Sequence, residues 1–126
     1  MKKFIISLIA LLAIIVSSSM TVRYIHSSSS KIVESIEYAS SLINNGKWIE
    51  AKSAIDDINS KWDDTEKSWA LLTDHIEIDN IEISMLKSKE YIRTKNLPLS
   101  LSELENLKFM IEHIYEKEKF NLKNIF

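Results

Sequence analysis

Trp48, Ile55, Trp62, Trp69, Ile76 and Ile83 follow one another at intervals of seven residues. Three residues after each come Ala51, Ile58, Thr65, Leu72, Asp79 and Leu86. Such a sustained a/d spacing is the signature of helices packed along a seam. It leaves little room for a β architecture, whose strands need a period of two and whose turns need more than the one glycine and one proline present. The frame runs unbroken through Asp63-Asp64-Thr65-Glu66, so two arrangements stand. One is a single helix over about residues 47–95. The other is two helices broken near Asp63, whose spacing to Glu66 suits a capping box. The broken form packs more compactly and is the one expected.

Neighbouring segments read as further helices. Ile32, Ile36, Ala39 and Ile43, widened by Val33 and Leu42, predict a helix from about Lys31 to Asn45 that Gly46 terminates. Past Trp69 a second stripe appears: Leu71, Ile78, Met85 and Ile92, with Ile81 beside them. A helix apolar on two sides has neighbours on two sides, which places this one centrally. Asn96-Leu97-Pro98 ends it, since the residue before proline is pushed out of helical geometry. Ser100 and Glu103 then suit a capping box. The last helix runs to about Phe120, with Leu101, Leu104, Leu107, Ile111, Ile114 and Tyr115 inward, and a short tail carries Leu122, Ile125 and Phe126.

At the other end, Lys2 and Lys3 precede nineteen residues without a charge, Phe4 to Val22. As a helix this stretch is about 28 Å long, close to the roughly 30 Å of bilayer hydrocarbon. The two lysines favour a cytoplasmic N-terminus, which puts the remainder outside the membrane. A cleaved signal peptide is the rival reading, with Ser17-Ser18-Ser19 as the small-residue cleavage site and a secreted product. The uninterrupted continuation through Met20, Thr21 and Val22 favours the uncleaved anchor. The expected fold is therefore all-α. A transmembrane helix (residues 1–26) leads through a serine linker (27–30) to a small antiparallel bundle of three to four helices (31–126).

Composition narrows the chemistry. Without cysteine there is no disulfide framework, thiolate zinc site, cysteine nucleophile or lipid-modified cysteine. The net charge of −2 offers no bulk attraction to nucleic acid. Lys87, Lys89, Arg93 and Lys95 are interspersed with Glu90 and suit a solvated helix end. No phosphate loop, nucleophile elbow or metalloprotease helix is present, so neither a cofactor nor an enzymatic activity is expected.

The most reactive side chains gather in Asp74-His75-Ile76-Glu77-Ile78-Asp79. His75 and Asp79 lie one helical turn apart, with Asp79 in the seam. As metal ligands they are half a site, and neither His113 nor His26 converges on them from sequence. As a structural pair, buried or half-buried, they set helix register. The tryptophans at helical spacing read as core. Trp48, at its helix start, is the best contact candidate, together with Leu122 and Phe126 of the tail.

The N-terminal apolar segment, Trp62 and Trp69 seven apart, Asp74, His75, Glu77 and Asp79, and the closing Asn124-Ile125-Phe126 together resemble domain-of-unknown-function family 4363. These are small membrane-anchored proteins of Gram-positive, often spore-forming bacteria. The resemblance covers nearly the whole chain and implies an origin and a location but no catalytic residues or cofactor. It also implies a neighbouring gene for a small integral-membrane protein of another uncharacterised family, which suits a partner-binding role. The expectation is a membrane-anchored extracytoplasmic interaction module or accessory subunit of an envelope protein. A ligand- or metal-binding module centred on His75 and Asp79 is the alternative. The partners expected are a membrane or envelope protein and the lipid bilayer through residues 4–22. A second copy of the chain would satisfy the seam equally.

Overall fold

A computed structural model describes residues 1–125. Four helices, α1 (Lys2–Asn44), α2 (Trp48–Trp69), α3 (His75–Arg93) and α4 (Leu97–Ile125), account for the regular structure. Each packs beside the next in chain order, and α1 and α4 close the ring. Short connections force neighbours to run antiparallel. Ion pairs fix the register: Lys89 to Asp56 at 2.9 Å joins α3 to α2, and Lys108 to Glu37 at 2.8 Å joins α4 to α1.

α1 is one unbroken helix of 43 residues. The serine run at 27–30 is therefore not a flexible linker, which corrects the expected division at that point. Ile25, Ser29, Ile32, Ile36 and Ala39 form a single buried stripe through it. The serine hydroxyls do not compete for the helix, because they bond back to it. Ser28 donates to the Tyr24 carbonyl at 2.9 Å, and Ser29 donates to the His26 carbonyl at 3.0 Å. The Trp69 indole N–H then donates to the Ser28 hydroxyl at 3.0 Å, tying α2 to this segment.

α2 runs straight through Asp63, and the break falls at Ala70–Asp74 instead. Asp63 and Asp64 are exposed, while Trp62, Thr65 and Trp69 continue the buried face, so nothing favours interruption there. Trp62 and Trp69 meet edge to face, with ring centroids 5.7 Å apart, in the core. The new start is Asp74, extended at φ −71 and ψ 139, with Glu77 three residues on. Glu77 does not reach back to the Asp74 N–H; its carboxylate accepts from the Thr73 hydroxyl.

Two of the three turns are Schellman motifs. After α1, the Lys47 N–H donates to the Leu42 carbonyl and the Gly46 N–H to the Ile43 carbonyl, with Gly46 at φ +70. After α3, Asn96 donates to Tyr91 and Lys95 to Ile92, but here Lys95 takes the left-handed position at φ 54. α4 then starts at Leu97 rather than at Ser100. The Asn96 side-chain oxygen caps the Leu99 N–H at 3.1 Å, and Pro98 sits in the first turn, where its missing N–H costs nothing. Ser100 is consequently buried inside the helix. α4 also continues beyond Phe120 to Ile125.

Candidate interaction surface

α3 turns its second stripe, not the heptad seam, to the core. Ile78, Ile81, Met85, Ser88 and Ile92 are buried there. The seam residues that follow the break point outward: Ile76 is 67% exposed, Ile83 50% and Leu86 67%. The four connecting residues after Ala70 turn the chain out of the α2 frame, so Trp48 to Trp69 and Ile76 to Leu86 lie on differently used faces. The central position expected for α3 is thus corrected. It is one side of a four-helix ring with an uncovered apolar outer face.

The flanks of that face are fixed. Towards α4, the Ser84 hydroxyl donates to the Glu103 carboxylate at 2.6 Å and the Asn106 amide donates to it at 3.1 Å. Lys117 pairs with Glu77 at 3.0 Å. Burial alone would raise the Glu77 carboxyl, but the hydrogen bonds from Thr73 and Lys117 outweigh it and hold it below its ordinary value. Towards α2, Glu82 faces Glu66 with Asp79 and Asp63 nearby. Burial, then these like charges, push its carboxyl above its ordinary value.

His75 and Asp79 are both exposed, and among the described residues no hydrogen bond or ion pair joins them. The buried or half-buried pair expected from their spacing is corrected: His75 is the first residue of α3, and Asp79 rides on the outward face. Nor do three metal-ligating side chains converge anywhere among the described residues. The structure instead brings His113 towards Glu77, across a groove of about 200 Å³ between α3 and α4 that Phe109 and Met110 also line. The imidazole of His113 stacks on Phe109, with centroids 5.8 Å apart. The one-turn spacing of α3 residues could not reveal that juxtaposition, because it depends on the α3–α4 register.

The other contact candidates lie apart. Trp48 is half-buried at the α1–α2 turn and packs against the core. Leu122 is half-buried at the opposite end of the bundle, against α1. Asn124 is exposed in the last turn of α4, Ile125 closes that helix, and Phe126 lies outside the described residues. Among the motif residues, Trp62 and Trp69 are core, while Asp74, Glu77 and Asp79 surround the start of α3.

Residues 19–125 match the model of DUF4363, a domain of unknown function. The chain belongs to this family. The matched span takes in α2, α3, all of α4 and α1 from Ser19 onward, so the DUF4363 unit is the bundle itself. No curated protein and no solved structure matches the chain. α1 is long and, in its N-terminal part, apolar enough to cross a membrane, and that part is not buried in the bundle. Both a membrane anchor and a signal sequence are compatible with it.

Proposed function

We propose that this DUF4363 protein is a membrane-anchored extracytoplasmic module that binds another envelope protein through the outer face of α3. The observation that carries the reading is the exposed row Ile76, Ile83 and Leu86 on the 19-residue helix α3. Burying such side chains is worth roughly 1.5–3 kcal/mol each, and the bundle leaves them in water. Helix-in-groove recognition uses anchors at this spacing. Anchoring is supported by the continuity of α1: Ser18 and Ser19 lie within the helix and line a groove with Leu122 of α4, so cleavage there would cut a packed element. Lys2 and Lys3 support a cytoplasmic N-terminus. Confinement to the bilayer raises the local concentration of a membrane-bound partner.

The test is site-specific photo-crosslinking of the full-length protein in its native membranes. A probe at Leu86 gives one dominant adduct, a probe at the exposed Lys52 on α2 does not, and Ile83→Asp abolishes the adduct while leaving the melting curve within a few degrees of wild type. Equal crosslinking from both positions, or an adduct indifferent to Ile83→Asp, rejects the α3 face as the docking surface.

A further inference from the structure

We infer that the last turns of α4 and the adjoining part of α1 form a site for an anionic phospholipid at the membrane surface. The inference rests on the membrane-anchored reading above. α4 does not stop where the bundle ends. Tyr115 packs its ring against His26 at 4.7 Å, and the helix then runs on alongside the uncharged stretch of α1. There Lys119, Leu122 and Lys123 face Ile15, Ser18, Ser19, Val22 and Arg23 across a groove.

The groove is amphipathic in the direction of the membrane normal. If the hydrocarbon begins at Val22, Ser19 lies about 5 Å and Ile15 about 10 Å below that edge, the depth at which interfacial helices seat. Arg23 and Lys119 stand at the headgroup level, and the Lys123 side chain is long enough to reach it. Ile15 and Leu122 form an apolar floor beneath them. No carboxylate lines the groove, although residues 23–126 carry 14 basic and 18 acidic side chains. Among the described residues, Arg23, Lys119 and Lys123 have no ion-pair partner. A phosphodiester with an acyl chain attached satisfies both halves of the groove, whereas free phosphate has no use for the floor. The rim agrees: Phe120 is 61% exposed, and Leu71, in the α2–α3 turn at the same end, is 87% exposed. Apolar tips flanked by lysines are what a helix end seated in a headgroup layer presents.

The chain has no cysteine, so Phe120→Cys accepts a single environment-sensitive fluorophore. The labelled full-length protein is reconstituted into phosphatidylcholine vesicles with increasing phosphatidylglycerol. Its emission is expected to shift to the blue as the anionic lipid rises. Lys119→Gln with Lys123→Gln weakens the response about fivefold per cation removed, while Lys119→Arg with Lys123→Arg retains it. Circular dichroism keeps loss of folding separate from loss of the site. A phosphatidylglycerol-independent emission in protein that floats with the vesicles overturns the site and leaves the anchor standing. A shift produced by inorganic phosphate in phosphatidylcholine alone overturns the lipid assignment. Protein that fails to float with the vesicles overturns the anchored reading, and this inference with it.

Discussion

Proline at position 27 separates a continuous α1 from a hinged one. Ser27 is exposed, so its side chain contributes little and the substitution acts on the backbone. In an unbroken helix, proline removes the hydrogen bond from residue 27 to the Arg23 carbonyl and its ring clashes with that carbonyl, for about 3 kcal/mol or more. The kink also falls between Ile25 and Ser29, both buried, and beside Ser28, which receives the Trp69 indole N–H. For a bundle of this size about 3 kcal/mol corresponds to a fall in Tm of roughly 10–15 °C. Ser27→Ala is the control and gains a few tenths of a kcal/mol at most, because alanine is the better helix former. Thermal unfolding of both variants in detergent, followed by circular dichroism and tryptophan emission, gives the comparison. A flexible serine linker tolerates proline. Ser27→Pro melting within about 2 °C of wild type would therefore refute the continuous helix.

Three other outcomes follow from local geometry. Lys95→Gly should raise stability by about 1 kcal/mol by removing a side chain from the left-handed position. Gly46→Ala should lower it by a similar amount for conformational reasons alone, since no atom stands within 4 Å of the added Cβ; urea midpoints check both. Trp69→Phe should cost about 1 kcal/mol more than Trp62→Phe. Both rings are buried, but the Trp69 N–H is bonded to Ser28 and the Trp62 N–H has no partner, a difference equilibrium unfolding resolves. The two α3 carboxylates titrate in opposite senses. Glu77, held low, stabilises the fold above the ordinary carboxylate range, and that stability is lost as pH falls through its lowered value. Glu82, held high, costs stability above its raised value and stops doing so as pH falls towards its ordinary one. Glu77→Gln should therefore destabilise and Glu82→Gln stabilise at neutral pH, with both differences fading in acid.

Much of the bundle is legible in the sequence because its signals are local. The seam from Trp48 to Trp69, Gly46 as a helix terminator, and the inward row Leu104, Leu107, Ile111 and Ile114 all lie where their spacing puts them. What spacing misjudged was competition between local signals. Asp63 with Glu66 and Asp74 with Glu77 present the same acidic pair, and only the buried Thr65 and Trp69 between them decide that the chain turns at the second. Ser27 to Ser30 look like a linker by composition, yet Ile25, Ser29 and Ile32 keep the helical period through them. Asn96 and Ser100 likewise compete as caps, and the earlier one wins because Pro98 is tolerated in a first turn. Which stripe of α3 faces inward could not be read at all. Ile76, Ile83 and Leu86 are as apolar as Ile78, Ile81 and Met85, and the choice rests on where the Ala70–Asp74 turn delivers the helix.

On the membrane-anchored reading proposed above, that choice also sets what can cover the exposed stripe, through its height above the bilayer. Tyr115 packs on His26, and α4 runs antiparallel to α1, so Lys117 stands about level with Tyr24. Lys117 is paired with Glu77, which places the first turn of α3 only a few ångströms beyond Val22. From Ile76 to Leu86 the helix rises about 15 Å, so with the proposed membrane edge at Val22 the whole apolar row would lie within roughly 20 Å of that edge. A bulky soluble partner reaching so low would collide with headgroups, whereas a membrane protein with short extramembrane segments meets the row at its own height. The adduct formed from a probe at Leu86 is therefore expected to pair this chain with a protein that stays in the membrane after alkaline extraction. A partner released into the soluble fraction by that treatment would show that α3 stands farther from the bilayer than the α1–α4 register allows.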